Sequence, residues 1–274
     1  MPEISIIMGV YNANKNNMID VSIQSILMQT YTDWEFIICD DSSTDGTIDV
    51  LKKYELADKR ITVIQNNENH GLAYSLNRCL EICKGNYIAR MDIDDYSSPD
   101  RLAVQKYELD HMKDYSFCTS NAKLFDLTGV WGTRVMKEYV EKKDFLFTSP
   151  FIHAALLAHR KIFDEIYYSE KRASRRAEDY ELFMNAYVKG YKGFNIQKEL
   201  YYIREDKECY SRRKYRERWF EAYIRLKGFC GLGLMPLGIA YVVKPLIVGL
   251  IPQKFLRKIR KDTILEKGEK KTKC

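Results

Sequence analysis

The stretch RMDIDDYSSPDRL, residues 90 to 102, sets Asp92, Asp94 and Asp95 within four positions. Carboxylates this close repel one another, so they need a cation or a set of N–H groups to hold them. A hard divalent cation such as Mn2+ or Mg2+ takes oxygen ligands, and it lets carboxylates share one site with the phosphates of a nucleoside diphosphate. The same cation stabilises a departing diphosphate as a Lewis acid. In an extended segment Asp92 and Asp94 point to one side and Asp95 to the other, because strand side chains alternate. Taken alone, the stretch reads sooner as a turn capping a helix after Ser98 than as a metal site.

Two further acid pairs carry chemistry. In CDDSSTDGT (39–47) a carboxylate emerges where a base could sit, and it accepts a hydrogen bond from the imide N–H of uracil or thymine. Asp41 is the candidate for that contact, which favours a UDP or dTDP compound. Asp40 reads as structural, and Ser43, Thr44 and Gly46 also suit a plain β-turn and helix cap. In AEDYELF (177–183) Glu178 and Asp179 stand at a helix start. The helix dipole keeps a carboxylate there ionised, as a general base must be, although both acids would also serve as caps.

These groups need a frame that brings them together. ISIIMGV (4–10), WEFIIC (34–39), ITVIQN (61–66) and YIARMD (87–92) are nearly continuous apolar runs, as strands of a parallel sheet covered on both faces require. Between them, Ile19, Ile23, Ile26 and Leu27, and then Leu72, Leu76, Cys79, Leu80 and Cys83, recur at helical spacing. Gly85 is placed as the C-terminal cap of the second of these helices. Ser98 as N-cap and Pro99 in the first turn open a fourth helix carrying Leu102, Gln105, Leu109 and Met112. Beyond residue 115 the pattern becomes mixed: a hairpin from SFCTSNAKLF and GVWGTRV, a helix over 178–188, a strand FNIQKELYYI, and a basic helix from about Ser211. The expected class is α/β, with ligands beyond the carboxyl ends of a mostly parallel sheet.

In this order, ISIIMGVYN, CDDSSTDGT, RMDIDD and AEDYELF resemble glycosyltransferase family 2, the inverting nucleotide-sugar enzymes of GT-A fold, over roughly residues 3 to 205. The resemblance implies a first strand whose end, at Val10, Tyr11 and Asn12, meets the nucleotide. It makes Asp94 the metal ligand, Asp92 a contact to the ribose or the metal's water shell, and Asp95 a support. It makes Asp179 the catalytic base, with Glu178 supporting. His153 matches a position where many relatives carry histidine, near the diphosphate or acceptor, and Arg175 and Arg176 would close over phosphates. One departure is plain: NHGLAYSLN has Leu76 where many members carry arginine, so another basic group must take over any contact made there.

The chain of 274 residues is long enough for one large domain, here a catalytic domain over 1–205 with a nucleotide half (1–115) and an acceptor half (116–205), followed by a tail over 206–274. Seven scattered cysteines without a CxxC pair fit reduced thiols and argue against zinc or a disulfide framework. The opening MPEISIIMGVYN has no leader pattern, so the expected compartment is the cytoplasm. Charge is uneven: residues 1–203 carry 25 basic and 30 acidic side chains, 204–227 carry 9 and 5, and 254–274 carry 9 and 3. Between the basic runs, residues 232–252 hold one charge, Lys244, and are broken by Pro236, Pro245 and Pro252. Two basic flanks around an interrupted apolar block suit a helical segment lying in the cytoplasmic leaflet better than one crossing it. Packing on the domain as ordinary core is the other reading, and nucleic acid is disfavoured because no binding module accompanies the charge. A membrane surface would bring the site to a lipid-linked oligosaccharide, as in capsule or exopolysaccharide synthesis. A nucleotidyltransferase would carry a glycine-rich, basic first loop instead of GVYNANKNN, and a non-catalytic binding module would not need the acids at 178 and 179.

Overall fold

Four of the apolar runs form the parallel half of one sheet: β1 (Ile4–Val10), β2 (Trp34–Asp40), β3 (Ile61–Gln65) and β4 (Tyr87–Arg90), side by side in the order β3-β2-β1-β4. Alternation explains why each run is apolar throughout. Ile4, Ile6 and Met8 enter one core with Ile19, Ile23, Ile26, Phe36 and Ile38, while Ile7 enters the other with Ile37, Leu76, Cys79 and Ile88. The covering helices are α1 (Met18–Leu27), α2 (Thr47–Ala57) and α3 (Leu72–Ile82). The computed structural model describes residues 1–14, 17–171, 177–205 and 215–250.

Two sequence-based boundaries move. Gly85 is not a helix cap, since α3 ends at Ile82 with an extended Cys83. A Cβ at Gly85 would lie 2.6 Å from the Ser5 nitrogen, so glycine is needed there for the close approach to β1. The fourth helix, α4, spans Arg101–His111 rather than starting at Ser98; its N-cap is Asp100. The residues before it instead form a two-residue strand, β5 (Tyr96–Ser97).

In the second half the sheet turns mixed. Strands β6 (Phe117–Asp126), β7 (Gly129–Arg134), β8 (Leu157–His159) and β9 (Gly193–Arg204) extend it from β4 in the order β8-β6-β9-β5, with β7 paired to β6 as the expected hairpin. β8 runs antiparallel to β4, and β5 antiparallel to β9 through Tyr96 and Tyr202. Both β5 and β8 are too short for an alternation pattern to mark them.

Helix α5 (Glu178–Val188) follows the expected span. It packs on α6 (Tyr215–Leu232), where Gly228 meets Met184 so closely that a Cβ would sit 2.2 Å from its sulfur. Helix α7 (Ile239–Val248) folds back along α6, with Gly238 against Phe229 and Gly249 against Tyr215 and Arg218. No helix of the described residues is long and apolar enough to cross a membrane. One face of this hairpin packs as ordinary core, and the other is exposed. Phe229, Leu232 and Val242 join the core that holds Met184 and Tyr187. Trp219, Tyr223 and Leu226 on α6, and Ile239, Val243 and Ile247 on α7, are exposed. The KFLRKIRK run and residues 212–214 lie outside the described residues.

Candidate active site

Asp92 leaves the end of β4 and is held at every polar group. Its backbone N–H donates to the Tyr201 hydroxyl (3.1 Å), its carbonyl accepts the Ser22 hydroxyl (3.0 Å), and its carboxylate takes both ends of the Arg90 guanidinium (2.9 and 2.5 Å). The pair is lopsided in burial: the Arg90 side chain is 3 % exposed and that of Asp92 31 %. Neutralising Asp92 therefore falls to a cation inside the protein wall, while its carboxylate rim stays within reach of a ligand. The Asp92 charge raises the Arg90 pKa still further, against the opposing effect of burial.

Asp94 and Asp95 part company although the segment is a turn between β4 and β5 and not the extended run expected. Asp95 is buried and accepts the Arg204 N–H of β9 (2.8 Å), which is the supporting job expected of it. Asp94 is exposed at the rim of the cluster, yet the protein crowding it and then the Asp92 charge push its carboxyl above the usual range. Asp95 is pushed well above it, first by burial and then by Asp94 and Asp92. Even with Arg90 present, the cluster lacks positive charge.

That deficit is the test of whether a divalent cation fits. Among the described residues no three His, Cys, Asp or Glu side chains form a cage able to hold a metal by themselves. A cation taking Asp94 and drawing its other oxygens from a diphosphate and water fits this donor set.

Below the acids lies a buried layer. Arg101 of α4 donates to the carbonyls of Arg90 (2.7 Å), Ala154 (3.4 Å) and Leu156 (3.3 Å), and its guanidinium sits 4.9 Å from the Tyr201 ring centroid. Burial away from any carboxylate partner lowers it to about 10. His153 is buried too, with Nε2 at 2.8 Å from the Tyr168 hydroxyl. Burial, and then the Arg90 charge, hold His153 well below the usual imidazole range, so it is neutral. Its ring packs against Tyr168 and Phe183.

Tyr168 ties the motifs together. Asn77 of α3 fixes its backbone on both sides, accepting its N–H (3.0 Å) and donating to its carbonyl (2.9 Å). Burial raises the Tyr168 phenol and the Arg90 charge opposes the rise; Asp92, Glu178 and Asp179 then raise it further. Glu178 and Asp179 stand half-buried in the first turn of α5, where the dipole favours their charged forms.

CDDSSTDGT is organised differently. Asp41 is buried, and its carboxylate already accepts the Asn66 side-chain amide (2.7 Å) and the backbone N–H groups of His70 (3.0 Å) and Gly71 (2.7 Å). It thereby ties the end of β2 to the segment leading into α3. Asp40 accepts from Ser43 (3.1 Å) and Gln65 (2.9 Å), while its buried Oδ1 has no partner among the described residues. Ser43, Thr44, Asp45 and Thr47 lace this loop to the one after β1, through Asn12, Ala13 and Asn14. Val10 is a core residue whose carbonyl accepts the Asp41 N–H (2.8 Å), whereas Tyr11 is exposed beside the loop. Leu76 is core; the arginine of α3 that reaches this network is Arg78, donating to Asn66 (2.8 Å) and the Gln65 carbonyl (2.9 Å). Arg175 and Arg176 lie outside the described residues.

Sequence reasoning missed Arg90, Arg101, Tyr168 and Tyr201. A signal existed for the first, since Arg90 is the one charge in the otherwise apolar YIARM of a buried strand. A groove of about 460 Å3 lined by Asn77, Glu81, Arg160, Tyr167 and Glu170 includes Tyr168 but none of the motif carboxylates.

Comparison with known proteins places this geometry. The profile described as Glycosyl transferase family 2 matches residues 5–167. A Bacillus subtilis protein carrying the name glycosyltransferase EpsE is 35 % identical over 270 residues, 98 % of this chain and 96 % of its own. The Escherichia coli protein named UDP-Glc:alpha-D-GlcNAc-diphosphoundecaprenol beta-1,3-glucosyltransferase WfaP is 32 % identical over 79 % of this chain and 83 % of its own. Among solved structures, S. aureus TarS 1-349 in complex with UDP-GlcNAc aligns with a TM-score of 0.67 over 90 % of this chain and 71 % of its own, at 21 % identity. That last likeness is one of fold, and it matches the α/β architecture with its curled sheet.

Proposed function

Because the chain belongs to glycosyl transferase family 2, we propose that it moves one sugar, with inversion, from a UDP-sugar to a hydroxyl of a lipid-linked glycan in polysaccharide synthesis. A dTDP-sugar is the second donor class. The observation that carries the reading is the acid cluster beyond the end of β4, where buried Arg90 pairs with a partly exposed Asp92 and leaves Asp94 exposed beside it. WfaP supports the inversion and the acceptor class by its name, since a β product from UDP-glucose, itself α-linked, requires inversion.

In this reading Asp94 holds Mn2+ or Mg2+, which balances the diphosphate as it leaves. Asp92 attends the ribose, and Asp179 takes the proton from the attacking hydroxyl opposite the diphosphate, with Glu178 beside it. Arg175 and Arg176 close over the phosphates. Tyr11 stacks on the base and Asn12 lies near its edge. Asp41, whose three donors leave one acceptor site on Oδ2, is the candidate for an imide N–H.

The exposed face of α6 and α7 lies on the anionic inner surface of the cell membrane. Its aromatic and aliphatic residues suit the bilayer interface, and the basic run over 254–274 follows directly in the chain.

The test is transfer from UDP- and dTDP-sugars to a GlcNAc-diphosphate-lipid analogue, with Mn2+ and with EDTA. Turnover that EDTA abolishes is expected, and no donor turned over in either condition ends the proposal. Asp179→Asn keeps donor KM while kcat falls roughly 10^2- to 10^4-fold. A variant ending at Lys227 leaves the vesicle-bound fraction if the hairpin is the anchor.

A further inference from the structure

We propose that Arg90 is the positioning residue of the donor site: it holds Asp92 in one orientation, supplies its counter-charge, and so leaves the divalent cation to Asp94. This rests on the assignment of the acid motif to the donor given above.

The geometry separates the two acids by what already satisfies them. Asp92 has its N–H, carbonyl and both carboxylate oxygens engaged by β9, α1 and β4, whereas Asp94 lies open at the rim. The Arg90 backbone is fixed on both sides. Its N–H donates to the Leu156 carbonyl (3.0 Å), and its carbonyl accepts from Arg101 (2.7 Å). Its buried Nε has no partner among the described residues, so the carboxylate of Asp92 is the acceptor that keeps this guanidinium in the wall. A planar fork fixes both oxygens of a carboxylate at once, which an ammonium group does not. A ribose would therefore meet an Asp92 carboxylate whose direction is set before binding. A cation approaching the cluster finds the Asp92 charge already cancelled and the Asp94 charge available.

The role differs from plain core packing in the sign of one effect. Removing Arg90 frees the Asp92 charge, so metal binding alone becomes tighter while nucleotide binding becomes weaker. The measurements are Mn2+ binding to the nucleotide-free protein by electron paramagnetic resonance, and UDP binding at saturating Mn2+ by calorimetry. In Arg90→Gln, Mn2+ should bind roughly tenfold more tightly, the size of effect one neighbouring charge has on a carboxylate. UDP should bind about tenfold or more weakly, as lost positioning requires. Arg90→Lys returns the charge without the fork, so Mn2+ affinity comes back to within about twofold of wild type while UDP binding stays impaired. In Arg90→Gln/Asp92→Asn a neutral pair replaces the ionic one, and the tightening of Mn2+ must disappear. That double variant also serves if Arg90→Gln alone does not fold: it and Arg90→Lys must both bind Mn2+ like wild type and UDP weakly. Unchanged Mn2+ and UDP affinities in folded Arg90 variants overturn the inference, as does Mn2+ tightening that survives Asp92→Asn. A wild-type protein that binds neither Mn2+ nor UDP overturns the donor-site reading instead.

Discussion

CDDSSTDGT and RMDIDD look alike as sequence, each setting neighbouring acids at the end of a buried parallel strand, yet the fold answers their charge in different ways. Asp41 is answered by two backbone N–H groups and an amide, all from the segment leading into α3. Asp92 is answered by a buried guanidinium, and Asp94 keeps its carboxylate at the rim. Dipolar donors spread over a loop fix that loop's shape and leave the acid little capacity to spare. A single buried cation orients one acid and leaves its neighbour in need of another positive charge. The first arrangement builds a wall for the site; the second builds a place for something to bind.

The sharpest way to break this comparison is to exchange what each acid loses. Asp94→Asn should lower metal-dependent transfer by at least about a hundredfold, since a catalytic cation supplies several kcal/mol. Its melting temperature in EDTA should not fall, because the fold already disfavours a charged Asp94. Asp41→Asn should do the reverse to the fold. It turns an acceptor toward donors and costs about 1–3 kcal/mol, or roughly 3–10 °C in melting temperature. If Asp41→Asn melts like wild type but no longer binds UDP, the two motifs are not distinct in the way argued here.

A smaller effect tests the layer below RMDIDD. His153 is neutral when folded but takes up a proton below about 6.5 when unfolded, so the unfolded state binds more protons in acid. Stability is therefore full above that pH and declines below it, by at most roughly 1.4 kcal/mol per pH unit. Melting curves between pH 7.5 and 5.5 should show this slope, and His153→Gln should flatten it. An unchanged slope in the variant would assign the acid sensitivity to other groups.

Much of this frame is legible in the sequence because periodicity reports burial. Ile4 to Val10 is apolar at every position but Ser5 and Gly9, and it lies between two helix layers. The order of the four motifs likewise anticipates the family match. What sequence does not display is which partner each polar group finds. Asp41 and Asp94 occupy similar settings in the chain, but Asp41 is buried with donors some 29 residues away, whereas Asp94 is exposed. The two-residue β5 and the three-residue β8 exist only because β9 and β4 offer them edges. The tail's doubled character was legible only in part, since composition does not say which residues of an apolar block face inward.

Helix α5 has one end in each of these settings. Its first turn carries Glu178 and Asp179, while Met184 and Val188 further along lie against Gly228 and Gly231 of α6. A helix is about 10 Å across. If the outer face of α6 and α7 rests on a bilayer as proposed, α5 would be a spacer of fixed height between lipid headgroups and the proposed base. An acceptor hydroxyl would then be chosen by its elevation above the membrane as well as by its stereochemistry: sugars close to the lipid diphosphate would come level with Asp179, and those at the far end of a long glycan would overshoot it.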